Sequence, residues 1–366
     1  MMIDNQKKVV IAMSGGVDSS VAAALLVEQG YSVTGMMLKL WADECGEAEN
    51  ACCPPEAINQ ARQMANIIGI PFYVLDVKNQ FKELIVDSFV NSLIQGITPN
   101  PCYYCNKQVR WGVFLDRVID SGFDYLATGH YARLKQNGST ISLLKGLDPS
   151  KDQSYVLSGL TQKQLSHSLF PLGEMKKTNV RELARKYSLP VAEKKDSQDL
   201  CFVGEQGYRE FLKKYSPQAL MEGNIVNSEG VIVGRHSGLS GYTIGQRKGL
   251  GAGNNDPIYV IEKNIEKNEL VVGPLEKLGN DQFSIVDCNW IRPDFLKNPV
   301  QFQVKIRYKA VLVNCSIFDI FEDQAKAIVD HPLRDITPGQ IAVFYLGDEV
   351  VGSGMINSVS KQGGNE

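Results

Sequence analysis

Several things are scarce in this sequence. It has only four histidines, His130, His167, His236 and His331. Their spacing matches no metal-ligand pattern, which excludes a histidine-built metal centre. No apolar run approaches the roughly 18 residues that a membrane span needs. Neither sign of charge dominates: 38 Lys and Arg stand against 41 Asp and Glu. A net charge of −3 excludes a histone-like polycation and, taken whole, argues mildly against nucleic acid. Internal repeats and low-complexity tracts are missing. A secretory leader is missing too: Lys7-Lys8 and Val9 to Met13 imitate one, but Ser14-Gly15-Gly16-Val17-Asp18-Ser19-Ser20 interrupts the apolar stretch. The chain is therefore expected in the cytoplasm, away from membranes, where its eight cysteines are not staples.

What is present fits a two- or three-domain protein, with 366 residues of which 43% are hydrophobic. Strand-like and helix-like periods alternate through the first 130 or so residues. Lys8 to Met13, Ser32 to Leu38, Phe72 to Val77 and Tyr125 to Thr128 read as strands. Ser19 to Gln29, Glu56 to Ile68, Gln80 to Ile94 and Lys107 to Asp120 read as helices. This alternation predicts an α/β domain built on a parallel sheet. From about Gly223 the segments become short, β-branched and separated by glycine or asparagine. That texture predicts a small, mostly β central domain followed by a C-terminal β barrel, with divisions at 1–205, 206–275 and 276–366.

Three segments carry chemistry. Val10 to Ser20 is a strand, a glycine turn and a helix start, a geometry that converges backbone N–H groups on phosphate. The loop lacks the lysine of a Walker sequence. Its SGGxDS pattern resembles the PP-loop of ATP pyrophosphatases; a glycine turn with an Asp or Ser cap is the plainer reading. Thr98-Pro99-Asn100-Pro101-Cys102-Tyr103-Tyr104-Cys105-Asn106-Lys107 holds a CxxC pair, placed by its two prolines on a stiff loop leading into a helix. Proximity to that helix start and to Lys107 is expected to favour thiolate. Taken alone, the pair fits zinc, redox or cluster chemistry equally. Cys201, in Lys194-Lys195-Asp196-Ser197-Gln198-Asp199-Leu200-Cys201, stands between lysines that favour its ionised form and acids that oppose it.

Taken in order, the PP-loop, TPNPxxxCN, ATGHYAR (Ala127 to Arg133), KDQSYVL (Lys151 to Leu157), KDSQDLCF and GYTIGQRKGLG (Gly241 to Gly251) resemble the bacterial and mitochondrial tRNA-specific 2-thiouridylases. The resemblance implies ATP-dependent replacement of the wobble-uridine 2-oxygen by sulfur in tRNAs for lysine, glutamate and glutamine. It places Ala12, Met13, Ser14, Gly15, Gly16, Val17, Asp18 and Ser19 along the ATP phosphates, with Asp18 helping to position Mg²⁺. Leu38 and Gly129 flank the nucleotide. Cys201 carries a persulfide from a sulfur-carrier protein or cysteine desulfurase. Cys105 releases the terminal sulfur and can close a disulfide with Cys201. Lys151, Asp152, Gln153, His130, Arg307, Tyr308 and Gln340 touch the tRNA.

One departure from the family pattern matters. Cys102 stands where many members carry aspartate, so the acid–base help assigned to that aspartate is in doubt. Cys102, Cys105 and Cys201 then make three thiols, enough to ligate a [4Fe-4S] cluster with one iron open. The cluster route and the persulfide route both fit the sequence. Cys45, Cys52 and Cys53, in an acidic stretch, read as part of a solvated loop rather than a zinc clip. Basic segments at Met175 to Lys195, Gly230 to Asn255 and Gln301 to Lys309 read as RNA-facing; in the last, Lys305, Arg307 and Lys309 alternate along a predicted strand and would share one face. Two other functions fit parts of the pattern: another PP-loop ATP pyrophosphatase, such as a lysidine-forming ligase or an amidotransferase-type synthetase, and a zinc-stabilised RNA-binding module without catalysis.

Overall fold

The computed structural model describes residues 6–41, 55–194, 200–203, 207–250, 257–297 and 301–360. By internal packing the chain separates into two compact units: Met1–Ile85 with Cys102–Glu205 and Asp348–Val350, and Val86–Pro101 with Gln206–Gly347 and Val351–Glu366.

The first unit is built on a five-stranded parallel sheet. Its strands lie in the order Phe72–Asp76, Ser32–Lys39, Lys8–Ala12, Tyr125–Ala127, Ser168–Leu169. Val9, Val10 and Ile11 have no exposed surface, as a central strand covered on both faces requires. Helix Val17–Glu28 is buried nearly all round in its first ten residues and packs against helices Pro55–Ile68 and Lys177–Lys186. The Lys8–Ala12 strand pairs with Ser32–Lys39 on one side and Tyr125–Ala127 on the other, so the strand order reverses beside it. Ligands of open parallel sheets bind at such a reversal, beyond the carboxyl ends of the strands. Residues 13–16 and 128–130 leave the sheet there.

The helix ahead of the fourth strand begins earlier than the sequence predicts. It is continuous from Pro101 to Asp120, as Pro101–Tyr104, a π-helical stretch Cys105–Phe114, and Leu115–Asp120. Pro101 suits the first helical position because its missing N–H would be unpaired there anyway. Cys102 and Cys105 are therefore helical residues, one turn apart, and not part of a loop before the helix.

In the second unit, strands Gly223–Asn227, Ile232–His236, Tyr259–Asn264 and Glu269–Gly273 form a four-stranded sheet around Ile225, Val260, Leu270 and Val272. Six further strands form a barrel: Asn280–Trp290, Phe302–Lys305, Val313–Phe318, Gln324–Leu333, Ile341–Leu346 and Glu349–Ser360. The first and last of them pair, which closes it. Closure pairs the barrel's two end strands with each other. Fold class and architecture match the sequence expectation. One strand does not: the run from Gln301 to Tyr308 is a strand only over Phe302–Lys305, with Arg307 in a bend and Lys309 in a turn. Lys305, Arg307 and Lys309 therefore do not share a strand face.

Candidate nucleotide and sulfur site

The glycine turn is held by its own hydroxyls. The Ser14 N–H donates to Ser19 Oγ at 3.2 Å, and Ser20 Oγ donates to the Gly16 carbonyl at 2.9 Å. Gly16 caps helix Val17–Glu28 without a side-chain bond, and the first-turn N–H groups of a helix have no partner within it. Gly15 adopts φ +69°, where a side chain would be strained and its Cβ would meet the Ala57 carbonyl at 3.0 Å. Gly129 closes the other wall. A Cβ there would lie 2.9 Å from the Asp18 carbonyl carbon and the Ser19 nitrogen, so only glycine fits. Leu38 is buried at the end of the second strand, in register with Leu75.

Asp18 stands in the first turn of this helix. Its carboxylate accepts two bonds from Lys177 Nζ, at 2.8 and 2.7 Å, and one from the Tyr131 hydroxyl at 2.8 Å. Lys194 Nζ donates to the Gly15 carbonyl at 3.3 Å and to Gln60 Oε1 at 2.5 Å. The basic segment expected to face RNA thus sends two of its lysines onto the glycine loop. A hollow of about 410 Å³, lined by Met36, Leu75, Phe114, Arg117, Val118, Asp120 and Ser121, lies beside the sheet, and no predicted site residue lines it.

Cys102 and Cys201 are exposed and Cys105 is buried. The three are close enough to act on one another electrostatically. Although the residue keeps exposed surface, surrounding protein desolvates the Cys102 thiol and pushes it up to about 11, with charge on Cys201 adding to the rise and Arg110 opposing it. Burial pushes Cys105 up to about 12, Arg110 opposing and charge on Cys201 and Cys102 adding. The expectation of a thiolate favoured by the helix start and Lys107 is corrected: desolvation outweighs both, and the Lys107 ammonium lies over the Tyr103 ring, 5.9 Å from its centroid. Among the described residues, no three His, Cys, Asp or Glu side chains are arranged to hold a metal ion. Cys45, Cys52 and Cys53, and the Lys195 to Asp199 stretch ahead of Cys201, lie outside the described residues.

The order of these features is mirrored in known proteins. A family model described as the tRNA methyl transferase HUP domain matches residues 7–205. Its PRC-barrel companion matches 209–274, and an aminomethyltransferase beta-barrel domain matches 280–356. The chain is 44% identical to the tRNA-specific 2-thiouridylase MnmA of Symbiobacterium thermophilum, over 96% of this chain and 92% of the relative. It is 45% identical to that of Clostridioides difficile, over 96% and 98%. The chain belongs to the tRNA-specific 2-thiouridylase family. A solved structure, the U34-tRNA thiolase NcsA from Methanococcus maripaludis with its [4Fe-4S] cluster, is similar at 21% identity over 58% of this chain and 67% of that one, with a TM-score of 0.34.

The residues that a 2-thiouridylase would turn to tRNA take several positions. His130 is buried between Trp111 and Phe170, with Nδ1 2.7 Å from Thr128 Oγ1. Burial, reinforced by Arg110, lowers it to about 3, so the ring is neutral near pH 7. Asp152 is buried and accepts from the backbone N–H groups of Gly146 and Ser154, both at 3.0 Å. Gln153 Oε1 accepts from the Tyr131 N–H at 3.0 Å. These three shape the turn behind the loop. In the second unit, Arg307 bonds the Asp335 carbonyl and its carboxylate, Tyr308 is exposed, and Gln340 Nε2 donates to the Thr98 carbonyl at 2.9 Å. Lys151 closes a turn through its backbone N–H, 3.0 Å from the Asp148 carbonyl.

Sequence reasoning missed Lys177, Tyr131 and Arg110. Tyr131 lies inside the ATGHYAR motif and Lys177 inside a basic run, but nothing local marks which of seven basic residues in Met175 to Lys195 is buried.

Proposed function

We propose that this protein thiolates the wobble uridine of tRNA at position 2, using ATP at the glycine turn and sulfur at Cys201 and Cys105. The observation that carries the reading is the pairing, in one compact unit, of a phosphate-shaped loop with three electrostatically coupled thiols. The family descriptions speak of methyl transfer, but the near full-length relatives are named thiouridylases, and paired thiols suit sulfur chemistry.

The uracil 2-oxygen is a poor leaving group. In the proposed first step it attacks the α-phosphorus of ATP, forming an O–P bond as the bond to pyrophosphate breaks. Backbone N–H groups of residues 14–19 hold the phosphates, and Asp18 is the group suited to Mg²⁺, which supplies charge neutralisation when bound. Cys201 receives a sulfane sulfur from a carrier protein or desulfurase. Its terminal sulfur attacks carbon 2, and AMP departs with the former uracil oxygen. The Cys105 thiolate then attacks Cys201 Sγ, leaving the new sulfur on uridine and a Cys105–Cys201 disulfide that an external thiol reduces. Cys102, exposed and one helical turn from Cys105, is a third thiol beside it but lacks a carboxylate's acid–base range. The persulfide route needs only the Cys201 and Cys105 thiols, and no step passes through a cluster.

In this reading 1–205, 206–275 and 276–366 serve as catalytic, central and tRNA-gripping parts. Tyr308 and Lys309, exposed at one turn of the barrel, suit a base and a phosphate. No helix among the described residues is long and apolar enough to cross a membrane, in keeping with a cytoplasmic enzyme. The test is an assay of full-length protein with unmodified tRNA, ATP and a persulfide donor. Stoichiometric AMP, pyrophosphate and 2-thiouridine are expected, with Cys201→Ser and Cys105→Ser each abolishing thiolation. AMP formation that needs neither tRNA nor either cysteine would instead favour another PP-loop ATP pyrophosphatase.

A further inference from the structure

The glycine loop has no lysine of its own, yet a triphosphate in it would carry several negative charges. The fold brings a cation from 159 positions away. Lys177 opens helix Lys177–Lys186 and is 8% exposed. Its backbone N–H is fastened to Asp148 Oδ2 at 3.0 Å, which fixes the root of the side chain. Its ammonium reaches both oxygens of Asp18 at 2.8 and 2.7 Å and lies 5.9 Å from the Tyr131 ring centroid. A buried ammonium needs a counter-charge, and Asp18 provides it. The Asp18 side chain keeps 30% of its surface open, in the first turn of helix Val17–Glu28. Two bonds from Lys177 and one from Tyr131 take up three of the carboxylate's roughly four lone-pair sites, so a magnesium ion there competes with the ammonium for Asp18.

We propose that Lys177 is the phosphate lysine of this loop: its ammonium, held on Asp18, transfers to the phosphate chain of ATP when Mg²⁺ engages the carboxylate. The proposal rests on the reading of the loop as an ATP site. Lys194, the other lysine at the loop, is already matched to neutral acceptors, the Gly15 carbonyl and Gln60 Oε1, and shapes the turn. The pair Asp18–Lys177 therefore does in space what a Walker lysine does in sequence, with each side chain matched to the other's charge.

The experiment measures binding of adenosine, AMP, ADP and ATP with Mg²⁺ to the full-length chain by calorimetry, comparing wild type with Lys177→Met. The loss is expected to be negligible for adenosine and to grow along the series to roughly 10- to 100-fold for ATP, the scale of a charge-assisted hydrogen bond. An equal loss across all four ligands would mean that Lys177 only props the pocket, and would overturn the proposal. Lys177→Met leaves Asp18 unbalanced, so the neutral pair Asp18→Asn with Lys177→Met serves as a second variant, expected to show the same graded loss. Asp18→Asn alone releases Lys177, and should bind pyrophosphate several-fold tighter than wild type without Mg²⁺; unchanged or weaker binding also refutes it. Wild-type protein that binds no ATP would refute the ATP reading instead, a different result from an ungraded loss in the variant.

Discussion

The resting protonation of Cys105 can be tested quantitatively. Its thiol is moved from an ordinary 9.0 to about 12, chiefly by burial. The difference of about three pH units means that, at any pH well below 9, the thiolate fraction is roughly a thousandth of that of an ordinary cysteine. At pH 8 this is a fall from about a tenth ionised to about one part in ten thousand. The perturbation is pH, from 7 to 10, in the presence of iodoacetamide, and the assay is mass spectrometry of each cysteine peptide against time. Cys315, buried in the barrel and likewise raised to about 12, serves as an internal reference. Cys105 is expected to react at the slow pace of Cys315, with a rate still rising at pH 10. Cys102, raised to about 11 but exposed, should be faster. ATP and tRNA together should accelerate Cys105, because the proposed sulfur release needs its thiolate. If Cys105 in the resting protein reacts at the rate of an unfolded-chain thiol, with a midpoint near 9, the argument from burial is refuted.

Gly129→Ala would drive a Cβ to 2.9 Å from backbone atoms of Asp18 and Ser19. It is expected to cost about 1–3 kcal/mol in urea unfolding and to weaken ATP binding, whereas an unperturbed affinity would show that the 128–130 turn does not wall the nucleotide. His130, lowered to about 3 by burial, stays uncharged in the fold while the unfolded chain takes up a proton below about pH 6.5. Stability should therefore fall as pH drops from about 6.5 toward 3, and His130→Leu should flatten that part of the melting curve against pH. A variant with the same acid sensitivity would mean the ring is not the group responsible.

The parts of the fold that rest on local pattern could be read directly. Val9 to Ile11 is an apolar run too short for a buried helix, and its abrupt change to two glycines and Asp18 marks a phosphate turn without any structure. The short β-branched segments after Gly223 likewise announced sheets. Long-range packing could not be read. The neutrality of His130 depends on Trp111 and Phe170, and the protonation of Cys105 depends on desolvation, neither of which is encoded near those residues. Alternation alone extended the strand through Tyr308. In the fold, the Arg307 guanidinium reaches the Asp335 carbonyl at 2.5 Å and Thr337 Oγ1 at 3.3 Å, bonds to a loop nearly thirty residues on, in the bend that follows the strand. Lys177 escaped for the same reason, since its partner Asp18 is in the first strand–helix turn and it opens a much later helix.

The central claim is that the uracil 2-oxygen leaves on AMP. It is tested most directly with tRNA carrying heavy oxygen at position 2 of the wobble uridine. After one turnover with ATP and a persulfide donor, the account predicts one heavy oxygen in the phosphate of AMP and none in pyrophosphate or water. A thiolated product with unlabelled AMP would contradict it.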